Sequence, residues 1–153
     1  MSIKISDLMA RRVISAQPHQ TVGHLRKLME QNRIGAIPIV GQDNEALGIV
    51  TSTDLARRLK EETPCSRIMS EGVHSVPAYN DVSVAARIMR KHRIHHVLIT
   101  EEKRVVGLIS SFDLLKLIDV NRFELKAQKQ PKKRKGSADP RRSFPRDNPR
   151  DVF

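Results

Sequence analysis

The chain of 153 residues has no tryptophan and one cysteine, and aromatic residues make up 3% of it. A lone thiol, Cys65, excludes an intramolecular disulfide and leaves too few sulfurs for a cysteine-based zinc site, which fits a reducing compartment. No stretch approaches the roughly 20 apolar residues of a membrane span, and residues 1–12 have no apolar run long enough for a signal segment. A soluble, cytoplasmic protein with no membrane partner is expected. The G-x-S-x-G, P-loop and G-x-G-x-x-G patterns are also missing, no base accompanies Cys65, and no second acid recurs at a fixed spacing from the Asp residues. The chain therefore reads as not an enzyme, with no required cofactor.

Acidic residues are outnumbered, 17 Asp and Glu against 28 Lys and Arg, for a formal net charge of +11. The excess is uneven. Residues 1–120 hold 17 Lys and Arg against 13 Asp and Glu, whereas 121–153 hold 11 against 4. From 128 to 148 the chain is almost wholly Lys, Arg, Pro, Ser, Gly, Gln and Asp, the composition of a disordered tail.

What is present is a repeat. Ser6-Asp7-Leu8-Met9 aligns with Ser66-Arg67-Ile68-Met69, Val22 with Val82, Leu28-Met29 with Ile88-Met89, and Arg33-Ile34 with Arg93-Ile94, all at an offset of sixty. After a one-residue deletion, Gly48-Ile49-Val50-Thr51 faces Gly107-Leu108-Ile109-Ser110, and Asp54-Leu55 faces Asp113-Leu114.

Each copy reads as strand, helix, strand, strand, helix. Short strands at 13–16 and 73–76 end at proline-containing turns. Val22, Leu25, Leu28 and Met29, like Val82, Ala85, Ile88 and Met89, have helical spacing and mark one buried face. Hairpins follow at 36–40 with 47–51, joined by Gly41-Gln42-Asp43-Asn44, and at 96–100 with 105–110. Closing helices are expected at 52–60 and from 111 to at least 118. Met9, Met29, Met69 and Met89 recur with the repeat and read as core filler. Cys65 stands where the first copy has Ile5 and reads as a small apolar filler.

The ordered, duplicated set resembles the cystathionine-β-synthase (CBS) domain pair over residues 1 to 120. It rests on Gly48-Ile49-Val50-Thr51-Ser52-Thr53-Asp54 and Gly107-Leu108-Ile109-Ser110-Ser111-Phe112-Asp113, with Ile34-Gly35-Ala36-Ile37-Pro38-Ile39-Val40 in support. The resemblance implies an α/β fold of two β-α-β-β-α repeats, 1–60 and 65–120, joined by a linker at 61–64 and followed by the basic tail 121–153. The repeats would pack sheet against sheet with pseudo-twofold symmetry, leaving two clefts for adenosine-containing ligands. Such pairs dimerise into a disc, sense AMP, ADP, ATP, S-adenosylmethionine or a dinucleotide, and bias an effector protein.

On that reading Asp54 and Asp113 accept from ribose hydroxyls, and Thr51 and Ser110 meet phosphate where strand gives way to helix. The resemblance implies that Ser15, Ala16, Ser75 and Val76, together with Gly35, Ala36, Ile37 and His95, His96, Val97, line the base. Thr51-x-x-Asp54 and Ser110-x-x-Asp113 equally fit helix caps, and the two roles are compatible. Leu98 replaces Pro38 and His95-His96 replace Gly35-Ala36, so the two clefts are expected to differ. His92-x-x-His95-His96 has no nearby carboxylate or cysteine to complete a metal shell, and no metal site is expected. The alternative is an interaction module with empty clefts whose tail, Lys126 to Arg150, binds acidic partners or nucleic acid without sequence preference.

Overall fold

The computed structural model describes residues 2–118. In chain order its elements are α1 (Ile5–Leu8), α2 (Val22–Asn32), β1 (Ala36–Val40), β2 (Ala46–Thr51), α3 (Ser52–Leu55), a 3-10 turn (Cys65–Arg67), β3 (Ser75–Pro77), α4 (Val82–His92), β4 (His96–Glu101) and β5 (Arg104–Ser110). A fifth helix, α5, occupies 111–118. The tail expected beyond residue 120 lies outside the described residues.

α2 and α4 begin alike. Thr21 and Asp81 sit in extended backbone and accept free N–H groups of the first turn, from His24 at 3.2 Å and Ser83 at 2.8 Å. Each helix then buries one apolar face on its hairpin. β1 alternates, sending Ile37 and Ile39 under α2 and Val40 to the opposite side; β4 likewise sends Val97 and Ile99 under α4 and Leu98 to the opposite side. Val40, Leu98 and Val105 meet in a third core between the two hairpins. The repeats thus pack sheet against sheet, and each fully buried aliphatic there contributes about 1.5–3 kcal/mol.

The repeats exchange their leading segments. Ile5 is fully buried in the α4 core, and Cys65, its counterpart, is fully buried in the α2 core. Backbone pairing follows the same exchange. Lys4 bridges to Asp81 and Pro64 to Thr21; Ala10 bridges to Leu108 and Ser70 to Ile49. The repeat offset converts each pair into the other, so the pseudo-twofold relation is present in the hydrogen bonding itself.

That crossing explains the duplicated glycine. A Cβ on Gly48 would lie 2.7 Å from Met69 Sδ and 2.9 Å from the Ser70 carbonyl; on Gly107 it would lie 2.6 Å from Met9 Sδ and 3.3 Å from the Ala10 carbonyl. Only glycine lets the exchanged segment approach so closely.

Two expectations need correction. The strand expected at 13–16 is reduced to one bridge, Ala16 with Ile39, while its counterpart is β3, displaced to Ser75–Pro77. In the second repeat the Leu98 N–H donates to the His74 carbonyl at 3.1 Å, but Pro38 stands in the equivalent place and has no N–H to give. The helix expected at 52–60 stops as α3 after four residues. Arg26 Nη2 reaches over to donate to the carbonyls of Leu55 at 2.9 Å and Arg57 at 3.3 Å, capping the chain there, and Arg57, Arg58 and Lys60 set like charges along the same turn.

Candidate functional site

β2 runs into α3, and β5 into α5, through the duplicated Thr/Ser-x-x-Asp segment. The Thr51 N–H and hydroxyl donate to Asp54 Oδ2 at 2.8 and 3.1 Å, and the Asp54 N–H points back to Thr51 Oγ1 at 3.5 Å. Ser110 and Asp113 repeat the arrangement at 2.9, 2.9 and 3.1 Å. Both segments are reciprocal helix caps. Each cap occupies only one carboxylate oxygen. Among the described residues no donor reaches Asp54 Oδ1, whereas Asp113 Oδ1 accepts from Lys116 Nζ at 3.4 Å. Asp54 therefore keeps a free acceptor while it caps α3.

Asp54 faces a cleft of about 550 Å³, within the range of small-molecule sites. Its lining comes from both repeats: Gly35, Ile49 and residues 51–54 from the first, Ser70, residues 72–74 and residues 92–96 from the second. Other surface depressions, of about 590 and 760 Å³, are each lined by a single repeat and hold neither Thr/Ser-x-x-Asp segment. The exchanged segment brings Ser70 and Val73 over Ile49 and so closes this cleft.

Of the residues singled out from sequence, Thr51, Asp54, Gly35, His95 and His96 meet here. Ser110 and Asp113 lie at the pseudo-symmetric place, where Ser111 Oγ approaches His95 Nδ1 at 3.4 Å. Ala16, Ala36, Ile37, Val76 and Val97 are buried, their side chains packed into the fold, while Ser15 and Ser75 are exposed, and none of the seven lines this cleft. Ser70, Gly72, Val73, His74, His92 and Arg93 line it without having been identified as ligand residues. Their only trace in sequence is the repeat itself, since an offset of sixty does not say which copy's leading segment closes which cleft.

The second-repeat wall is rich in imidazole. The rings of His74 and His92 stack with centroids 3.9 Å apart. Loss of hydration pushes His92 below its ordinary value of 6.5, and the neighbouring His74 and Lys91 push it further. Burial lowers His96 in the same way, with His95 adding to the effect and Asp113 opposing it. Among the described residues no group of three His, Cys, Asp or Glu side chains is arranged to hold a metal ion, and no helix is long and apolar enough to cross a membrane.

The CBS domain profile matches residues 5–61 and again residues 65–120. The chain belongs to the CBS domain family. The CBS domain-containing protein YhcV of Bacillus subtilis is 30% identical over 115 residues, which make up 72% of this chain and 81% of that protein. A homoserine O-acetyltransferase of Methanosphaerula palustris is 32% identical over 116 residues, 74% of this chain but only 24% of the enzyme. The CBS domain pair of protein MJ0100, solved in complex with 5′-methylthioadenosine and S-adenosyl-L-methionine, is similar at a TM-score of 0.75 and 25% identity, covering 79% of this chain and 99% of that one. The two hairpins with their helices are thus a CBS pair.

Proposed function

We propose that this CBS pair is a non-catalytic regulatory module that binds an adenosine-containing ligand in the cleft between its repeats and signals occupancy to a partner protein. The observation that carries the reading is the convergence, in one cleft walled by both repeats, of an apolar lining (Ile49, Val73), a carboxylate with a free oxygen (Asp54) and hydroxyls at a strand end (Thr51, Ser52). The complex of the MJ0100 pair with two adenosyl compounds supports the ligand class. The match to one quarter of an acetyltransferase fits an accessory role beside a catalytic part.

In this reading Asp54 Oδ1 accepts from the ribose, Thr51 and Ser52 meet the substituent on the 5′ carbon, and Gly35 leaves room beside His96. Ser110 and Asp113 head the second cleft. A ligand touching both walls favours one relative packing of the repeats over another, and only that difference in affinity moves the equilibrium. Exposed Phe112, Leu115 and Ile118 on α5 support a homodimer, since a second copy would cover them. We place the protein in the cytoplasm.

Thermal-shift titration with AMP, ADP, ATP, NADH, S-adenosylmethionine and cyclic dinucleotides tests this. A ligand at 100 times its Kd adds about 2.7 kcal/mol. A rise with one of them is expected, lost in Asp54→Ala and kept in Asp113→Ala. No rise with any would leave the clefts empty and favour the basic tail, Lys126 to Arg150, as the working surface for nucleic acid.

A further inference from the structure

A groove of about 760 Å³ on the second repeat has no part in the ligand site. Pro77, Tyr79 and Val106 line it, together with the four charged residues of the β4–β5 turn, Glu101 to Arg104. Backbone fixes both parts. Glu102 and Lys103 form a tight two-residue turn between paired Glu101 and Arg104. On either side of Tyr79, the Ala78 and Asn80 carbonyls accept from the Ser6 and Ile5 N–H groups at 3.0 and 2.9 Å. Held between them, the ring of the chain's one tyrosine is 72% exposed.

Among the described residues Glu101, Glu102, Lys103 and Arg104 join no ion pair, so two charges of each sign stand unpaired beside an open ring. The first repeat has no such set. The offset of sixty places His19 at Tyr79, Gln17 at Pro77 and Gly41 at Glu101, so the groove is not a by-product of the duplicated fold. Residues 119–153 carry a short duplication of their own: Phe144-Pro145-Arg146-Asp147 is followed by Asn148-Pro149-Arg150-Asp151, which gives Pro-Arg-Asp twice at an offset of four. Each unit offers what the groove can take, a proline for an aromatic face, a guanidinium for a carboxylate or the ring, and a carboxylate for Lys103 or Arg104. The fixed φ of proline also lowers the freedom lost on docking.

We propose that residues 144–151 dock in this groove on their own chain, a Pro-Arg step against Tyr79, the guanidinium on Glu101 and Glu102, and the aspartate that follows on Lys103 and Arg104. The connection is long enough. From Arg104 at the groove to residue 118, β5 and α5 span at most about 35 Å. The intervening residues, about 25 of them, reach about 80 Å when extended. Being joined to the surface it binds, the segment acts at an effective concentration of millimolar order, so contacts that are weak singly suffice. The basic run Pro131-Lys132-Lys133-Arg134-Lys135 is thereby kept close to the fold.

Tyr79 reports its own cover, since the chain has no tryptophan and no second tyrosine. Acrylamide quenching of its fluorescence in the full chain is compared with that in a chain ending at Ser143. The full chain should be quenched at least about twofold less, at every protein concentration. Glu101→Lys with Glu102→Lys should remove that protection, and adding Arg146→Glu with Arg150→Glu should restore it. Glu101 and Glu102 are exposed, so their replacement leaves the core intact. Equal quenching of the full and shortened chains would overturn the proposal, as would protection that survives Glu101→Lys with Glu102→Lys. Protection that grows with protein concentration would place the segment on a second copy and overturn the contact within one chain.

Discussion

Asp54 and Asp113 cap their helices in the same way and differ in the oxygen each has to spare. Replacing either with alanine removes a cap, and a loss of about 0.5–2 kcal/mol is expected from urea denaturation of both variants. Equal losses of stability with unequal losses of ligand binding would separate the two roles. Asp81 offers a check that needs no ligand. Hydrogen bonds from Ser83 and then Ser2 hold its carboxyl down at about 2. Because the folded value lies below the unfolded 3.8, the stabilisation is complete above that pH and is lost as pH falls through the folded value. Melting temperature should therefore fall less between about pH 4 and pH 2 in Asp81→Asn than in the unmodified chain. The Thr51-Asp54 pair was legible because its partners are three residues apart. Arg93, on the second-repeat wall of the same cleft, was not, since nothing local to it says that it meets a segment forty residues earlier.

The hairpins and long helices were legible for the same local reason: period, cap and turn lie within each segment. The two short elements were not, because each is decided by a partner distant in sequence. Pro38 removes the donor that would fix the first strand, and Arg26 takes the carbonyls that would extend α3. Gly48 and Gly107 belong to this scale as well. A Cβ at Gly48 meets backbone at 2.9 Å, which cannot yield cheaply, whereas at Gly107 the nearest atom is the movable end of Met9. Gly48→Ala should cost about 1–3 kcal/mol and Gly107→Ala less, measured by chemical denaturation. Equal costs would mean that the exchanged segments are not held as described.

At the scale of the molecule, neither repeat completes its own core. Ile5 closes the α4 core from the first repeat, and Cys65 closes the α2 core from the second. Ile5→Ala should therefore cost about 2–5 kcal/mol and speed amide exchange in β4 and β5, more than ninety residues away in sequence, before it does so in β1 and β2. The pseudo-twofold pair was legible from the repeat, but the exchange of leading segments was not, and it is that exchange which brings Ser70 to His74 over Thr51 and Asp54. The most direct measurement is an amide-resolved NMR titration of the full chain with AMP. Shifts should concentrate at residues 51–54, 72–74 and 92–96, on both walls of the one cleft, and vanish in Asp54→Ala. Shifts confined to one repeat, or none at saturating AMP, would mean that the cleft between the repeats is not a nucleotide site.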